Sequence, residues 1–304
     1  IFAPYINELM GDGSQAQAAW GFGIAAAGIV IALLAPLLGA MADNGGNRLR
    51  WIWGFSLLYV IGASMLWTAK PGDFHLIQVL FFFALGLVGM EFATIFTNAM
   101  LPDLGPRDQI GRISGNGWAF GYLGGLIALA LMLMFFAENA ATGRTYLGLM
   151  PAFGLDPEQR EGTRFVGPLV AIWYVVFMLP FALWVREPRR QPPRPEAIRR
   201  ALADLRQTLV RLPERRSLFA YLGASMFYRD ALNGMYAFGG IYAPGILGWS
   251  VVDTALFGII AIISGALFAW LGGKLDARLG PKPVIATCIL VLTAVAIAIV
   301  LIDR

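Results

Sequence analysis

Runs of about twenty or more apolar residues, broken only by short polar stretches, recur from one end of this chain to the other. In hydrocarbon every backbone N–H and C=O must find its partner within the protein, so such runs can cross a bilayer only as helices or as a closed barrel. The runs are far longer than the strands of a barrel, which predicts an all-α membrane protein. Composition agrees. Of 304 residues 58% are hydrophobic and 14% charged, against roughly 25% charged in a soluble globular domain.

Taken in order, Ile1 to Ile6 reads as the tail of a first helix. Further helices are expected at about Ala18 to Ala42, Leu49 to Thr68, His75 to Leu101, Ile110 to Phe136 and Phe165 to Val185. After a basic linker come Ser217 to Leu247, Val252 to Leu271 and Val284 to Ile302. Residues 186–216 begin rich in proline. They then place Ile198, Ala201, Leu202, Leu205, Leu209 and Leu212 at intervals of three and four, with arginines filling the other face. That pattern predicts an amphipathic helix on the membrane surface or packed on the bundle, or else a solvated charged linker. The organisation expected is a six-helix half at 1–185 with a truncated first helix, a basic linker at 186–216, and the start of a second half at 217–304.

With the polar stretches alternating in side, the one containing Asp43, the one containing Asp103, the linker and the one containing Asp276 carry seventeen basic residues against five on the opposite side. Basic loops stay in the cytoplasm, so those four are expected there. The net charge of +4 comes mainly from the linker. It points to anionic lipid as its partner and gives no reason to expect nucleic acid.

One cysteine, Cys288, and one histidine, His75, exclude a disulfide within the chain, Cys/His zinc sites and Ser-His or Cys-His nucleophiles. There is no paired Asp-rich metal motif, nucleophile elbow or Gly-rich phosphate loop. An enzyme is therefore not expected, and no cofactor or metal is implied. The alternatives to a transporter are an integral membrane enzyme and a non-transporting receptor or scaffold.

Three ionisable residues fall near the middle of expected spans: Glu91, Arg229 and Asp230. On insertion scales each costs about 2.5 to 3.5 kcal/mol in hydrocarbon, which makes each a candidate for function. Arg229, with Asn233 and Tyr236 one and two turns on, would line a polar cavity where a guanidinium binds a carboxylate through its planar fork. Glu91 is then its counter-ion or a proton carrier; the other reading is a buried ion pair that only holds helices in register. Glycines recur every four residues at Gly117, Gly121 and Gly125, and every seven at Gly258, Gly265 and Gly272. Such stripes are expected to face closely packed helices.

The stretch Gly39-Ala-Met-Ala-Asp-Asn-Gly-Gly-Asn-Arg-Leu-Arg50 reads as a tight turn between two spans, and Gly272-Gly-Lys-Leu-Asp-Ala-Arg-Leu-Gly-Pro-Lys-Pro283 is a weaker copy of it. Phe2-Ala-Pro-Tyr5 likewise echoes Tyr242-Ala-Pro-Gly245. The echoes imply a six-helix repeat, hence twelve helices in a complete protein with about nine present here. This arrangement resembles the major facilitator superfamily, with Gly39, Asp43, Gly46 and Arg48 matching its signature loop and Asp276 and Arg278 in the second copy. Phe96-Thr-Asn-Ala-Met-Leu-Pro-Asp-Leu104, Ile113-Ser-Gly-Asn-Gly-Trp-Ala-Phe-Gly-Tyr-Leu-Gly-Gly125 and Asp230-Ala-Leu-Asn-Gly-Met-Tyr-Ala-Phe-Gly-Gly-Ile-Tyr-Ala243 resemble the vacuole-effluxer family of that superfamily, whose fungal members export amino acids. The resemblance implies a secondary transporter of a small polar solute, amino acids first, in a bacterial plasma membrane and as a monomer. It further implies that contacts of Asp43 hold the outward-facing state and break during the cycle; the plainer reading of Asp43 is a helix-ending salt bridge.

Overall fold

The computed structural model describes residues 2–11, 13–45, 48–186, 197–245 and 251–301. They form eleven α-helices: α1 (Phe2–Met10), α2 (Gly13–Gly45), α3 (Arg48–Met65), α4 (Leu76–Ala99), α5 (Ile110–Leu131), α6 (Glu161–Arg164), α7 (Val166–Trp184), α8 (Ala197–Arg211), α9 (Arg216–Gly245), α10 (Val251–Leu279) and α11 (Pro281–Leu301). Short 3-10 turns and one π turn, Met132–Phe136, complete the described structure, which contains no named strand. Seven of these helical segments are long and apolar enough to cross a membrane, so the chain is a multi-pass membrane protein.

The expected helices are present, with two instructive differences. Helix α2 continues through Gly39 to Gly45, and α10 continues to Leu279, eight residues beyond the expected end at Leu271. The stretches read as turns are therefore mostly helix. The second turn shrinks to Gly280, whose φ of +82° ends α10 in the left-handed conformation that glycine adopts without strain, and Pro281 opens α11. Helix α9 has the expected length but is not among the seven apolar segments, because Arg229, Asp230 and Asn233 interrupt it.

The chain divides into two compact units, residues 1–100 with 127–206, and residues 101–126 with 207–304. In the first unit α3 and α4 pack backbone to backbone. A Cβ on Gly62 would overlap the backbone of Gly86, and one on Gly89 would stand 2.7 Å from the Phe55 carbonyl. Beside this contact Trp51, Phe55, Phe92 and Phe96 stack with ring centroids 4.6 to 6.5 Å apart. Ile52, Phe92, Phe96 and Met100 form the buried centre of that layer. Helix α7 covers α3 through Gly167 against Ala63, a 2.7 Å hydrogen bond between the Ser56 and Tyr174 hydroxyls, and an edge-to-face pair of Trp53 with Phe181. At the start of α3, Arg48 donates to the Ala99 carbonyl at 2.9 Å and ties it to the end of α4.

The other end of this unit is closed by the segment between α5 and α7, which is folded tightly around buried charge. Glu138, with no exposed side-chain surface, accepts from Arg160 Nη1 at 2.9 Å and from Thr163 Oγ1 at 2.8 Å. Arg160 reaches on to Glu8 of α1 at 2.6 Å. Arg164, 1% exposed, donates through Nε and Nη2 to the Trp67 carbonyl and lies over the Trp67 ring. Tyr5 of α1 donates to the Ala69 carbonyl at 2.7 Å. Gly162 is obligatory here, since a Cβ would overlap the Phe136 carbonyl and the Glu138 carboxylate.

Candidate functional site

In the second unit α5 and α10 run antiparallel and touch along their glycines. A Cβ on Gly115 would stand 2.7 Å from both the Ala269 carbonyl oxygen and the Gly273 Cα. One on Gly273 would stand 2.8 Å from the Gly111 carbonyl and 3.0 Å from the Gly115 Cα. Two turns further along α5, the Tyr122 ring covers Gly265. No side chain separates the backbones between residues 111 and 115, so the two helices approach as closely as peptide groups allow.

The lead-in to α5 is built by Pro106, extended at ψ 155°, and the 3-10 turn Arg107–Gln109, which aims the first turn of α5 at the last turns of α10. Asp276 lies there. Its carboxylate occupies the space a Cβ on Gly111 would take, so glycine at the second residue of α5 is what admits the acid. The first-turn N–H groups of a helix carry partial positive charge, and an anion against them is stabilised by about 0.3 to 1 kcal/mol, up to about 2 when partly buried. Asp276 is half-buried and lines a cleft of about 560 Å³ together with Arg107, Asp108, Ser114 and Pro281. The Asp276 carboxylate thus packs against the first turn of α5, on the glycine seam.

Of the other residues singled out in the sequence, Arg278 is exposed on α10, and Lys274 stands 3.4 Å from the Trp270 ring centroid. Gly117, Gly121, Gly125, Gly258 and Gly272 have open space where a side-chain methyl would stand, with nothing within 4 Å among the described residues. Of the expected stripes only Gly265 is in contact; the close packing falls on Gly111, Gly115 and Gly273 instead. The reason is the helical face: Gly111 and Gly115 are one turn apart and share it, whereas Gly117 lies on another. A pairing of Gly111-x-x-x-Gly115 with the adjacent Gly273 was the signal to find.

Glu91, on α4 in the first unit, is half-buried and has no hydrogen-bond or ion-pair partner among the described residues. Arg229, Asp230 and Asn233, on α9 in the second unit, are exposed on the protein surface. Gly39 is helical, with open space beside it. The side chains of Asp43 and Tyr236, and residue Gly46, lie outside the described residues. Sequence reasoning did not find the Glu138, Arg160, Thr163 and Arg164 cluster, whose only trace is the spacing of the two arginines across one helical turn. Nor did it find Gly62, Gly86 and Gly89.

Over residues 18–301 the chain matches the family described as vacuole effluxer Atg22 like. It is 24% identical over 289 residues to a protein of Bacillus subtilis described as an uncharacterized MFS-type transporter, YxiO, covering 93% of this chain and 63% of that one. It is 27% identical over 193 residues to autophagy-related protein 22 of Coccidioides immitis, covering 59% of this chain and 29% of that one. With autophagy-related protein 22-1 of Aspergillus niger it shares 25% identity over 190 residues, 59% of this chain and 28% of the relative. The chain thus spans less than two thirds of the length of these relatives. No solved structure matches it.

Proposed function

Since the chain belongs to the vacuole effluxer Atg22-like family of major-facilitator-type membrane proteins, we propose that it works as a secondary active transporter. It moves a small polar solute, amino acids first, by alternating access. The observation that carries this reading is α9, a 30-residue helix interrupted near its middle by Arg229, Asp230 and Asn233 and followed by α10, which is long and apolar enough to span. Charge inside a membrane-crossing helix is retained where it faces a polar path or a partner. An Arg fork suits the carboxylate of an amino acid, and Asn233, one turn away, offers both a donor and an acceptor to its polar groups.

Alternating access needs contacts that close one end and then release. The glycine seam of α5 and α10 supplies a smooth closing surface, and Asp276 against the first turn of α5 supplies a latch that weakens steeply once the helices part. On this reading the latch is on the cytoplasmic side, where the basic stretches lie, and the membrane is a bacterial plasma membrane. Glu91, half-buried and without a partner of its own among the described residues, is the proton carrier.

The test is counterflow of labelled amino acids by the whole protein in proteoliposomes. Arg229→Gln should abolish it and Arg229→Lys restore only part, because an ammonium lacks the planar fork. Full counterflow in Arg229→Gln would remove that residue from the solute site, and absence of counterflow with every amino acid would refute the proposed solute class.

A further inference from the structure

Among the described helices α8 has the most one-sided distribution of apolar and charged residues. Its 15 residues make a rod of about 22 Å. Leu202 is 46% exposed, and Leu205, three residues on, is half-buried. Arg199 and Arg206 project from the edge of this stripe, and Arg211 from the far side; all three are exposed, and among the described residues Arg199 and Arg206 have no acidic partner. Asp204 stands on the face opposite Leu202, two residues away and so about 160° around the helix.

The bilayer is within reach of α8 through α7. The preceding helix α7 is apolar enough to span and ends at Trp184, whose 76% exposed indole suits the headgroup layer. Twelve residues then lead to Ala197, and only four separate Arg211 from the start of α9. An apolar stripe edged by arginines that have no acidic partner among the described residues, tethered on one side to a helix long and apolar enough to span, matches a surface that is oily beneath and negative above.

We infer that α8 lies along the cytoplasmic surface of the bilayer, with Leu202 and Leu205 in the acyl boundary and Arg199 and Arg206 on the headgroups of anionic phospholipid. Arginines at the edge of a buried stripe can keep their stems in the apolar layer while their guanidiniums reach lipid phosphates. The basic linker is then a lipid-dependent strap, and the lipid composition of the membrane becomes a control on the protein that is separate from its solute.

The experiment uses the whole protein with Cys288→Ser and any cysteine outside these residues likewise replaced by serine, and a spin label at Leu202→Cys or at Asp204→Cys, in vesicles of phosphatidylcholine with or without phosphatidylglycerol. With phosphatidylglycerol present, the label at 202 should collide more with oxygen than with a water-soluble nickel chelate, and the label at 204 the reverse. Arg199→Gln with Arg206→Gln should weaken surface binding about thirtyfold and return the 202 label to water. Hydrogen exchange of residues 197–211 in the cysteine-intact protein should slow on adding phosphatidylglycerol, a readout independent of the labelled variants. A 202 label equally open to the chelate in both vesicles would overturn the proposal, as would one shielded from both probes in either vesicle, which would mean a protein partner. Neither result would bear on counterflow, so the strap and the transport reading fail separately.

Discussion

The glycine seam yields a sharp prediction at Gly115→Ala. A methyl group there meets the Ala269 carbonyl oxygen and the Gly273 Cα at 2.7 Å, and the Gly273 nitrogen at 3.1 Å. Ordinary contact begins at about 3.4 Å, so α10 must retreat by about 0.7 Å. The opposing atoms are helix backbone, and no rotamer change relieves the clash. Overpacking of this kind costs about 1 to 3 kcal/mol, and only while the seam is closed. The equilibrium between closed and open seam should therefore move about 5- to 150-fold toward open. The assay is the distance between spin labels at Arg112→Cys and Arg278→Cys, both exposed positions, in the Cys288→Ser protein. Gly115→Ala should add or enlarge a long-distance population. Gly117→Ala is the control, since that position has open space beside it and gains only the helix propensity of alanine, about 1 kcal/mol. Identical distance distributions in the two variants would refute the seam as a closing contact.

Asp276→Asn keeps the shape of the latch but removes its charge, and by the dipole argument should lower the closed population by a factor of about 2 to 5; an unchanged population in the same label pair would reduce Asp276 to a helix-end residue of no consequence. Glu138→Ala removes the buried carboxylate that Arg160 and Thr163 share while Arg160 keeps Glu8, and should lower stability by about 1 to 3 kcal/mol, read as an earlier thermal unfolding of the detergent-solubilised protein. Glu138→Gln, which still accepts from Thr163, should fall between the two, and a wild-type midpoint for Glu138→Ala would show that the cluster contributes nothing. Glu91→Gln should abolish proton movement with solute in vesicles while leaving counterflow measurable; unchanged proton coupling would take Glu91 out of the mechanism.

The span positions were legible in the sequence because lipid imposes a one-dimensional rule: about twenty apolar residues must be helical wherever they sit, whatever packs against them. The same rule marked Glu91, Arg229 and Asp230, whose presence in apolar helices is conspicuous without any knowledge of contacts. Family resemblance, too, was carried by local strings such as the one ending at Gly125. What glycines do could not be read this way. Gly272 and Gly273 in a polar stretch look like a turn, yet helix continues through them to Leu279, and Gly273 is the residue whose bare face meets Gly111 and Gly115. Glycine permits a turn and permits a close approach, and only the partner on the other helix decides between the two. The charged cluster of Glu138, Arg160 and Arg164 was hidden for a related reason. In sequence these are loop charges, and burial beside Glu8 and Trp67, far away along the chain, is what makes them structural. The sequence by itself determined which segments enter the membrane and where charge interrupts them; tertiary structure decided which small and charged residues meet, since that depends on pairing between helices, which hydropathy does not encode.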